Sequence, residues 1–324
     1  MRAVYLLCAL IPGILAAVAP RCADAQDAAR NPVRILVASA DDASYSIAHL
    51  IGENIGNAMG RAVVTDPRPG ATGRIAAEAL KNSAPDGTTL LLAPIVIPVL
   101  SPLVFRNLRY DPMKDFAPVA QVATFRYALA VSANHPARTA PEFIAWAKAH
   151  REQATFGTGG AGSVPHFFGV MVGQMTGTEL VHVPYKGATP ITADLMSGQI
   201  AAGIDAPANL IELHRAGRIR ILATSGAERS PLSPTVPTFK EQGLGAFDAV
   251  GWIAVYARAG TPKTLIDRLS AVIVETVRTP EIRERLLSLG VEPTGTTPEA
   301  LAAIMAADTV RWAPIIKASG FTAE

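Results

Sequence analysis

The residues best suited to binding chemistry lie between Phe156 and Gly187. A glycine-rich turn at residues 157–163 reads Gly-Thr-Gly-Gly-Ala-Gly-Ser, and a second motif at residues 181–187 reads Val-His-Val-Pro-Tyr-Lys-Gly. Because glycine lacks a Cβ atom, the backbone N–H groups of such a turn can converge on a ligand. A helix that starts at the turn adds unpaired N–H donors and partial positive charge. The pattern therefore predicts a site that captures a carboxylate or a phosphate without a lysine.

A dinucleotide site is one alternative at this turn. Gly157, Gly159 and Gly162 satisfy the pattern G-x-G-x-x-G. A nucleotide-binding unit also needs a solid preceding strand and an acidic residue at the end of the next strand. Here the preceding apolar run is short, and Glu179 comes before the next predicted strand. The motif therefore favours an anion-binding or purely structural turn over a nucleotide site.

An exported hydrolase is a second alternative, with Ser163 as nucleophile and His166 and Asp205 as partners. The chain has no G-x-S-x-G elbow, and a serine and histidine three positions apart more often serve as a helix cap and a packed imidazole. The six histidines show no H-E-x-x-H motif and no clustered metal spacing. For His182, a buried neutral ring bonded to the backbone is the simplest expectation. We expect no catalysis, no metal and no cofactor.

The N-terminus predicts export. Arg2 precedes an apolar run at residues 3–19, and Ala23-Asp24-Ala25 has the small-x-small form of a signal peptidase site. The run is at the lower limit for crossing a membrane, so an anchor is the weaker interpretation. We expect residues 1–25 to be a signal peptide that is cleaved after Ala25, and the mature protein to be periplasmic.

Cysteine content and charge exclude several functions. Cys8 and Cys22 both lie in the predicted signal peptide, so the mature protein would have no disulfide, thiolate metal site or cysteine nucleophile. The formal charge of the whole chain is only +2. No basic face for nucleic acid is indicated.

Length and pattern together predict an α/β protein with two lobes. Roughly 300 residues after cleavage exceed the size at which a single core usually stops growing. Short β-rich runs alternate with amphipathic helical stretches, which favours largely parallel sheets. We expect residues 26–125 and 252–324 to form a discontinuous lobe 1, and residues 126–251 to form lobe 2. Two connecting segments would then act as a hinge.

Several short motifs occur along the chain in a characteristic order. Besides the two motifs above, they are residues 68–73, 86–90, 110–112, 115–119, 237–239 and 260–262. In this order and spacing the chain resembles the TctC or Bug family, the periplasmic substrate-binding proteins of tripartite tricarboxylate transporters. The resemblance implies a type II-like periplasmic-binding-protein fold, with each lobe a mostly parallel sheet flanked by helices. It also implies a small organic acid bound between the lobes and passed to membrane permease subunits.

Candidate ligand contacts follow from this resemblance and from the edges of the predicted sheets. Ligands of open α/β sheets bind at the carboxyl ends of the strands. Tyr185 follows one predicted strand and Asp205 ends another, where the resemblance implies a polar contact to ligand or to bound water. The full set of expected ligand-binding residues is Ser39, Ala40 and Ser44 from lobe 1 and Thr158, Gly160, Gly162, Ser163, Tyr185 and Asp205 from lobe 2.

Two loops of lobe 1 depart from the family pattern. Relatives carry Gly-Gly-Ser/Thr-Asp after the first strand, whereas residues 41–45 read Asp-Asp-Ala-Ser-Tyr. Two acidic side chains would repel a carboxylate unless they turn outward or meet an amine. In the second loop, Ile95, Val96 and Ile97 either form an apolar cleft wall or point into the core. As a wall they would favour longer or aromatic carboxylates over citrate.

Functions other than transport also remain open. The same fold could serve as an extracytoplasmic sensor that is not coupled to transport, and the atypical loops could suit a cationic or largely apolar ligand. Partners other than the ligand and transient permease subunits are not expected, and we expect a monomer.

Overall fold

The computed structural model describes residues 32–39, 42–245, 247 and 249–323 of the 324-residue chain. The predicted signal peptide, residues 1–25, lies outside the described residues. Among those described, no helix combines the length and the apolar composition needed to cross a bilayer.

Strands and helices alternate through most of the chain, as the sequence pattern predicts. The strands are β1 Val33–Val37, β2 Val63–Pro67, β3 Thr89–Pro94, β4 Phe116–Phe125, β5 Ala128–Ser132, β6 Thr155–Thr158, β7 Val181–Pro184, β8 Ala202–Asp205, β9 Ile219–Thr224, β10 Gly251–Arg258 and β11 Glu292–Pro293. The α-helices are α1 Asp42–Met59, α2 Arg74–Lys81, α3 Ser101–Val104, α4 Pro112–Asp115, α5 Ala140–Ala149, α6 Val164–Thr176, α7 Ala188–Ser197, α8 Pro207–Arg215, α9 Lys263–Arg278, α10 Pro280–Ser288 and α11 Pro298–Ser319. A π-helical segment, Val96–Leu100, follows β3.

The strands form two mixed sheets. Sheet 1 has the order β11-β4-β10-β3-β1-β2, and sheet 2 has the order β7-β6-β8-β5-β9. The expected parallel ladders are present: β1 pairs with β2 and β3, and β6 pairs with β7 and β8. The strands next to the lobe connections, β4, β5, β9 and β10, instead pair in antiparallel fashion. Chain reversal at the connections therefore makes both sheets mixed, while most strands of each sheet run in one direction, as the sequence pattern suggested.

Both connections between the sheets join the same two edges. The first leads from Phe125 to Ala128, and the second leads from Thr224 to Gly251. Gly251 pairs with Phe125, and Ala128 pairs with both Thr224 and Asp205. Because Asp205 ends a strand of the parallel ladder in sheet 2, the carboxyl edge of this ladder lies beside the connections. In sheet 1, β10 pairs in antiparallel fashion with both β3 and β4, so β4 runs in the same direction as β3. The carboxyl edge of the parallel strands of sheet 1 therefore also lies beside the connections.

The strands of sheet 2 all lie within residues 128–224, and those of sheet 1 flank this range on both sides. This division is compatible with the expected lobes. We keep the names lobe 1 and lobe 2 for the parts that contain sheet 1 and sheet 2, and their boundaries stay a prediction.

The two lobes also share one apolar cluster. It contains Trp252 and Trp312 from lobe 1 and Phe156, Phe167 and Phe168 from lobe 2, all buried. Helix α11 of lobe 1 packs against α6 of lobe 2 in this cluster. The lobes are therefore held together by helix packing as well as by the two chain connections.

Local sequence signals explain where the main helices begin. Thr139, Ser163 and Thr297 each cap a helix, because their side-chain oxygens accept a hydrogen bond from the backbone N–H three residues later. Each cap is followed by proline in the first turn, where the missing N–H costs nothing. Helix α6 ends at Gly177, which adopts the left-handed conformation. The glycine-rich turn is thus fixed at the start of a well-capped helix.

Candidate functional site

The glycine-rich turn lies at the carboxyl edge of sheet 2. It follows β6 and leads into α6. In the parallel pair β6 and β8, Gly157 is level with Gly203, so Asp205 is level with Gly159. The structure therefore brings Asp205 to the edge where the expected residues 158–163 lie.

Two hydroxyl groups hold the turn in shape. Ser163 Oγ donates to the carbonyl of Gly160 at 2.7 Å and accepts from the backbone N–H of His166 at 3.4 Å. Thr158 is fully buried, and its Oγ1 donates to the same carbonyl at 3.2 Å. These two hydrogen bonds stabilise the conformation of the turn. Whether either also touches a ligand stays a prediction.

Backbone donors are the groups that the turn presents. The N–H of Gly162 donates to Nδ1 of His166 at 3.1 Å. Within the described part of the chain, the N–H groups of Gly159, Gly160 and Ala161 meet no acceptor. Since these donors lie at the N-terminus of α6, they suit an anionic group.

Two histidines stack beneath the turn. The rings of His166 and His182 lie 4.0 Å apart, and Nε2 of His182 lies 2.7 Å from Thr158 Oγ1. Burial lowers the pKa of His166, and burial together with the neighbouring His166 lowers the pKa of His182 to about 4. Both rings are therefore neutral near pH 7. The expected backbone partner of His182 is replaced by the Thr158 hydroxyl, because the ring reaches sideways to the adjacent strand β6.

Asp205 lies in a partly buried environment. Its Oδ1 accepts from the backbone N–H of Ala206 at 2.7 Å. Burial raises the pKa of the Asp205 carboxyl, although its hydrogen bonds to Ala206 and Asn209 oppose the shift. The carboxyl oxygens of Asp205 can accept a hydrogen bond from a polar group of a ligand or from a bound water.

Tyr185 follows β7 at the same edge, but its side chain turns toward α7. Its hydroxyl donates to Asp194 Oδ2 at 2.7 Å, and its ring lies against Gly157. Partial burial and the carboxylate of Asp194 raise the pKa of Tyr185 to about 12. The structure therefore gives this hydroxyl a partner within lobe 2, and a ligand contact by Tyr185 stays a prediction.

The structure describes two of the three expected ligand contacts of lobe 1. Ser39 is half-buried after β1, whereas Ser44 is buried in the first turn of α1. Ala40 and Asp41 lie outside the described residues. Asp42 begins α1. The effect of the acidic pair on a bound carboxylate thus stays a prediction.

Lobe 1 faces the turn across a cavity of about 60 Å³. Near it, Ala71 and Thr72 adopt left-handed backbone conformations with φ of 52° and 58°. Such conformations are uncommon for residues other than glycine and recur at ligand sites. The lining residues are Thr72, Val96, Leu100, Ser101, Val104, Phe105, Phe321 and Ala323 from lobe 1 and Ala161 and Gly162 from lobe 2.

The comparisons with known proteins decide the family. The family described as tripartite tricarboxylate transporter family receptor, TctC, matches residues 47–321. The chain belongs to the TctC receptor family. A curated relative, a UPF0065 protein of Bordetella bronchiseptica, is 36% identical over 284 residues, covering 87% of this chain and 84% of the relative.

Solved structures confirm the predicted two-lobed α/β fold of this TctC receptor. R. palustris Rpa4515 with adipate is 29% identical at a TM-score of 0.76, covering 90% of this chain and 99% of that chain. MatC (Rpa3494) from Rhodopseudomonas palustris with bound malate is 26% identical at a TM-score of 0.72, covering 88% and 98%. Both neighbours carry a small dicarboxylate.

The atypical second loop of this TctC receptor is mostly core. Ile95 and Ile97 are fully buried in the apolar cluster, whereas Val96 is half-buried and lines the cavity. The interpretation in which all three side chains form a cleft wall is therefore wrong for the two isoleucines. The π-helical turn that begins at Val96 brings them onto the inner side.

Sequence reasoning missed most of the lobe 1 lining of the cavity, including Thr72, Phe105 and Phe321. Thr72 belongs to a motif that carried the family resemblance, but nothing in the motif showed that it faces lobe 2. Phe105 and Phe321 lie about 200 positions apart in sequence and meet only in the fold. The sequence offers one signal for Phe321, because it is an apolar residue directly after the glycine that ends α11. Such a residue usually packs on its own helix, so the signal does not indicate a contact with lobe 2.

Other features of this TctC receptor offer less to an anionic ligand. Open grooves of about 700 Å³ beside α1 and about 1010 Å³ between α1 and α10 contain neither glycine motif. In the residues that the structure describes, no three His, Asp or Glu side chains come together as metal ligands. The turn and its cavity are therefore the best candidate site.

Proposed function

We propose that this TctC receptor captures a small organic carboxylate between its lobes and delivers it to a tripartite tricarboxylate-type permease. The observation that carries the proposal is the glycine-rich turn at the N-terminus of α6, where Ala161 and Gly162 line a cavity together with residues of lobe 1. Two structural neighbours whose descriptions name adipate and malate support the ligand class.

Binding would depend on the backbone of the turn. A carboxylate near Gly160 and Ala161 would receive N–H donors and the partial positive charge of α6. The nearby Asp205, with its raised pKa, would contact a polar group of the ligand directly or through water. Specificity for charge would then come from lobe 2.

The body of the ligand would lie against lobe 1. Val96, Phe105 and Phe321 supply apolar surface on that side of the cavity. Each buried CH₂ group of a ligand contributes about 0.8 kcal/mol. We therefore expect acids with a compact apolar body to bind better than highly polar acids such as citrate.

The proposed receptor performs no reaction. The Ser163 hydroxyl donates to Gly160, and Nδ1 of His166 accepts from Gly162, so these two side chains do not form a nucleophile and base pair. This arrangement supports a binding role over the hydrolase alternative. We propose a binding role alone.

Export completes the proposal. We propose that residues 1–25 are removed and that the receptor works in the periplasm. N-terminal sequencing of exported protein should begin at Gln26. A lipid-modified start at Cys22 would contradict the proposed processing.

A thermal-shift panel tests the function. The mature protein would be heated with monocarboxylates, dicarboxylates, aromatic acids and amino acids. An acid at about 100 times its dissociation constant should stabilise the fold by about 2.7 kcal/mol, which raises the melting temperature by a few degrees. Stabilisation by no acid in the panel, at millimolar concentration, would contradict the proposal.

A further inference from the structure

The chain after α11 forms a short tail that stays attached to lobe 1. Gly320 ends the helix in the left-handed conformation, and the N–H of Ala323 donates to the carbonyl of Val104 at 3.0 Å. Ala323 also forms a parallel bridge with Phe105. The guanidinium of Arg74 lies 3.8 Å from the centre of the Phe105 ring. The tail is thus held in a fixed place on lobe 1.

From this tail, the ring of Phe321 reaches across to lobe 2. It meets His166 edge to face at 5.5 Å and Phe167 at 5.9 Å between ring centres. A Cβ atom added to Gly162 would lie 2.7 Å from Phe321 Cε1, closer than real Cβ contacts. Gly162 therefore lets the ring approach the turn directly.

We propose that Phe321 is a specificity-determining residue of the ligand cleft, which limits the acid to a compact body. The inference rests on the proposed function. A carboxylate bound at the turn would extend along the cavity that Ala161 and Gly162 line, and the Phe321 ring lines the same cavity beside Gly162. The ligand body and the ring therefore compete for the same space.

The size of the cavity sets the limit. The cavity is small, at about 60 Å³, and the Phe321 ring lines it. Long-chain and aromatic acids would meet the ring, whereas short acids would extend less far toward it. Replacing the ring with a methyl group would add space for several carbon atoms.

Three variants test this limit. Butyrate, hexanoate, octanoate and phenylacetate would be titrated by calorimetry into wild-type protein and into Phe321→Ala, Phe321→Leu and Thr322→Ala. Thr322 is exposed beside Phe321, so its substitution is a matched control. Phe321→Leu keeps an apolar side chain and serves as the test if Phe321→Ala does not fold.

We expect wild-type protein to favour butyrate over octanoate and phenylacetate. Phe321→Ala should shift the ratio of dissociation constants toward the larger acids by at least about tenfold, because even one methylene in a pocket discriminates by that factor. Phe321→Leu should give a smaller shift in the same direction, and Thr322→Ala should give none.

The outcomes separate the two proposals. If wild-type protein binds acids but the ratio is unchanged in both Phe321 variants, the role of Phe321 is wrong and the receptor function stands. If wild-type protein binds no acid, the proposed function is wrong, and so is this inference, which rests on it. A shift in Thr322→Ala as large as in Phe321→Ala would also contradict a specific role of the ring.

Discussion

Ser163 shows how one residue type serves both the fold and the site. Its hydroxyl caps α6 and donates to the carbonyl of Gly160, so it stabilises the turn whose residues Ala161 and Gly162 line the cavity. Serine, aspartate and asparagine all cap helices well, but only aspartate brings a full negative charge. Stability and ligand affinity can therefore be separated at this position.

We expect Ser163→Asp to lose mainly affinity, since it keeps the cap but not the bond to Gly160, and Ser163→Ala to lose mainly stability. Aspartate still caps the helix but repels the ligand carboxylate, so affinity should fall at least about tenfold. Alanine loses the cap, at a cost of about 1 kcal/mol, while the backbone donors remain. Urea unfolding and calorimetry measure the two effects. Unchanged affinity in Ser163→Asp would place the carboxylate elsewhere.

The stacked histidines should make stability depend on pH. Burial, together with His166, lowers the pKa of His182 from 6.5 to about 4, so the folded state favours the neutral ring. The unfolded chain then binds more protons below pH 6.5. The stability contributed by the neutral ring is complete above pH 6.5 and is lost as the pH falls toward 4.

Urea unfolding at pH 7.5 and pH 5 should show this effect. Wild-type protein should lose more free energy of unfolding between the two pH values than His182→Gln, whose amide can still bond Thr158 but does not titrate. The difference between the two proteins removes the contribution of groups they share. Equal losses in both would show that His182 is not held neutral by the fold.

The sequence could predict the glycines and the helix cap of the site, because their role is local. Glycine permits the left-handed turn at Gly162, and serine before proline indicates the start of α6. Phe321 and Thr72 could not be predicted as neighbours of the turn, since tertiary packing alone brings them there. The partner of His182 was wrong for the same reason: it lies on another strand.

At the scale of elements, the segment after β3 decides which apolar residues reach the cleft. Its pattern, Pro-Ile-Val-Ile-Pro at residues 94–98, left core and wall as open alternatives. The π-helical turn places Ile95 and Ile97 in the core and Val96 at the cavity. A hydrophobic run alone contains no signal for this division, because every side chain in it is apolar.

Serine substitutions should reveal this division. Ile95→Ser should lower the free energy of unfolding by about 3 kcal/mol or more and leave ligand preference unchanged, because it empties a fully buried position. Val96→Ser should cost less stability but weaken the binding of apolar acids relative to polar ones. Chemical unfolding and calorimetry on both variants give the comparison. A preference change in Ile95→Ser without a stability loss would reverse the assignment.

The sequence pattern predicted the alternation of strands and helices, but not every strand direction. Short β-rich runs and amphipathic helical stretches follow each other as expected, for example in β8, α8 and β9. The reversed course of β10 in sheet 1 and of β5 in sheet 2 depends on where the chain crosses between the sheets. Hydrophobic periodicity does not contain that information, so these antiparallel strands were not predicted.

At the scale of the whole molecule, an ion pair stabilises the connections between the lobes. Arg126, next to β5, binds Glu292 of β11 through two contacts of 2.8 and 3.1 Å. Arg126 also donates to the carbonyl of Glu228, and Ser230 Oγ donates to Glu292 at 2.7 Å. Both side chains of the pair are about 15% exposed. The pair therefore links the first connection, which contains Arg126, to β11 and to the second connection after β9.

Removal of this arginine should destabilise the receptor strongly. Arg126→Ala leaves the Glu292 carboxylate nearly buried without its cation, which should cost about 3 kcal/mol. Arg215→Ala breaks an exposed pair with Glu212 and should cost at most about 1 kcal/mol. Urea unfolding of the two variants compares them directly. An equal loss of unfolding free energy in the two variants would mean that Arg126 does not stabilise the connections between the lobes.

The most direct test of the central claim is a crystal structure of the mature protein with the acid that stabilises it most. We expect the ligand carboxylate oxygens within about 2.7–3.2 Å of the backbone nitrogens of Gly160 and Ala161, with the ligand body toward Val96 and Phe321. An acid bound in the groove between α1 and α10, with the turn unoccupied at saturating ligand, would contradict the account.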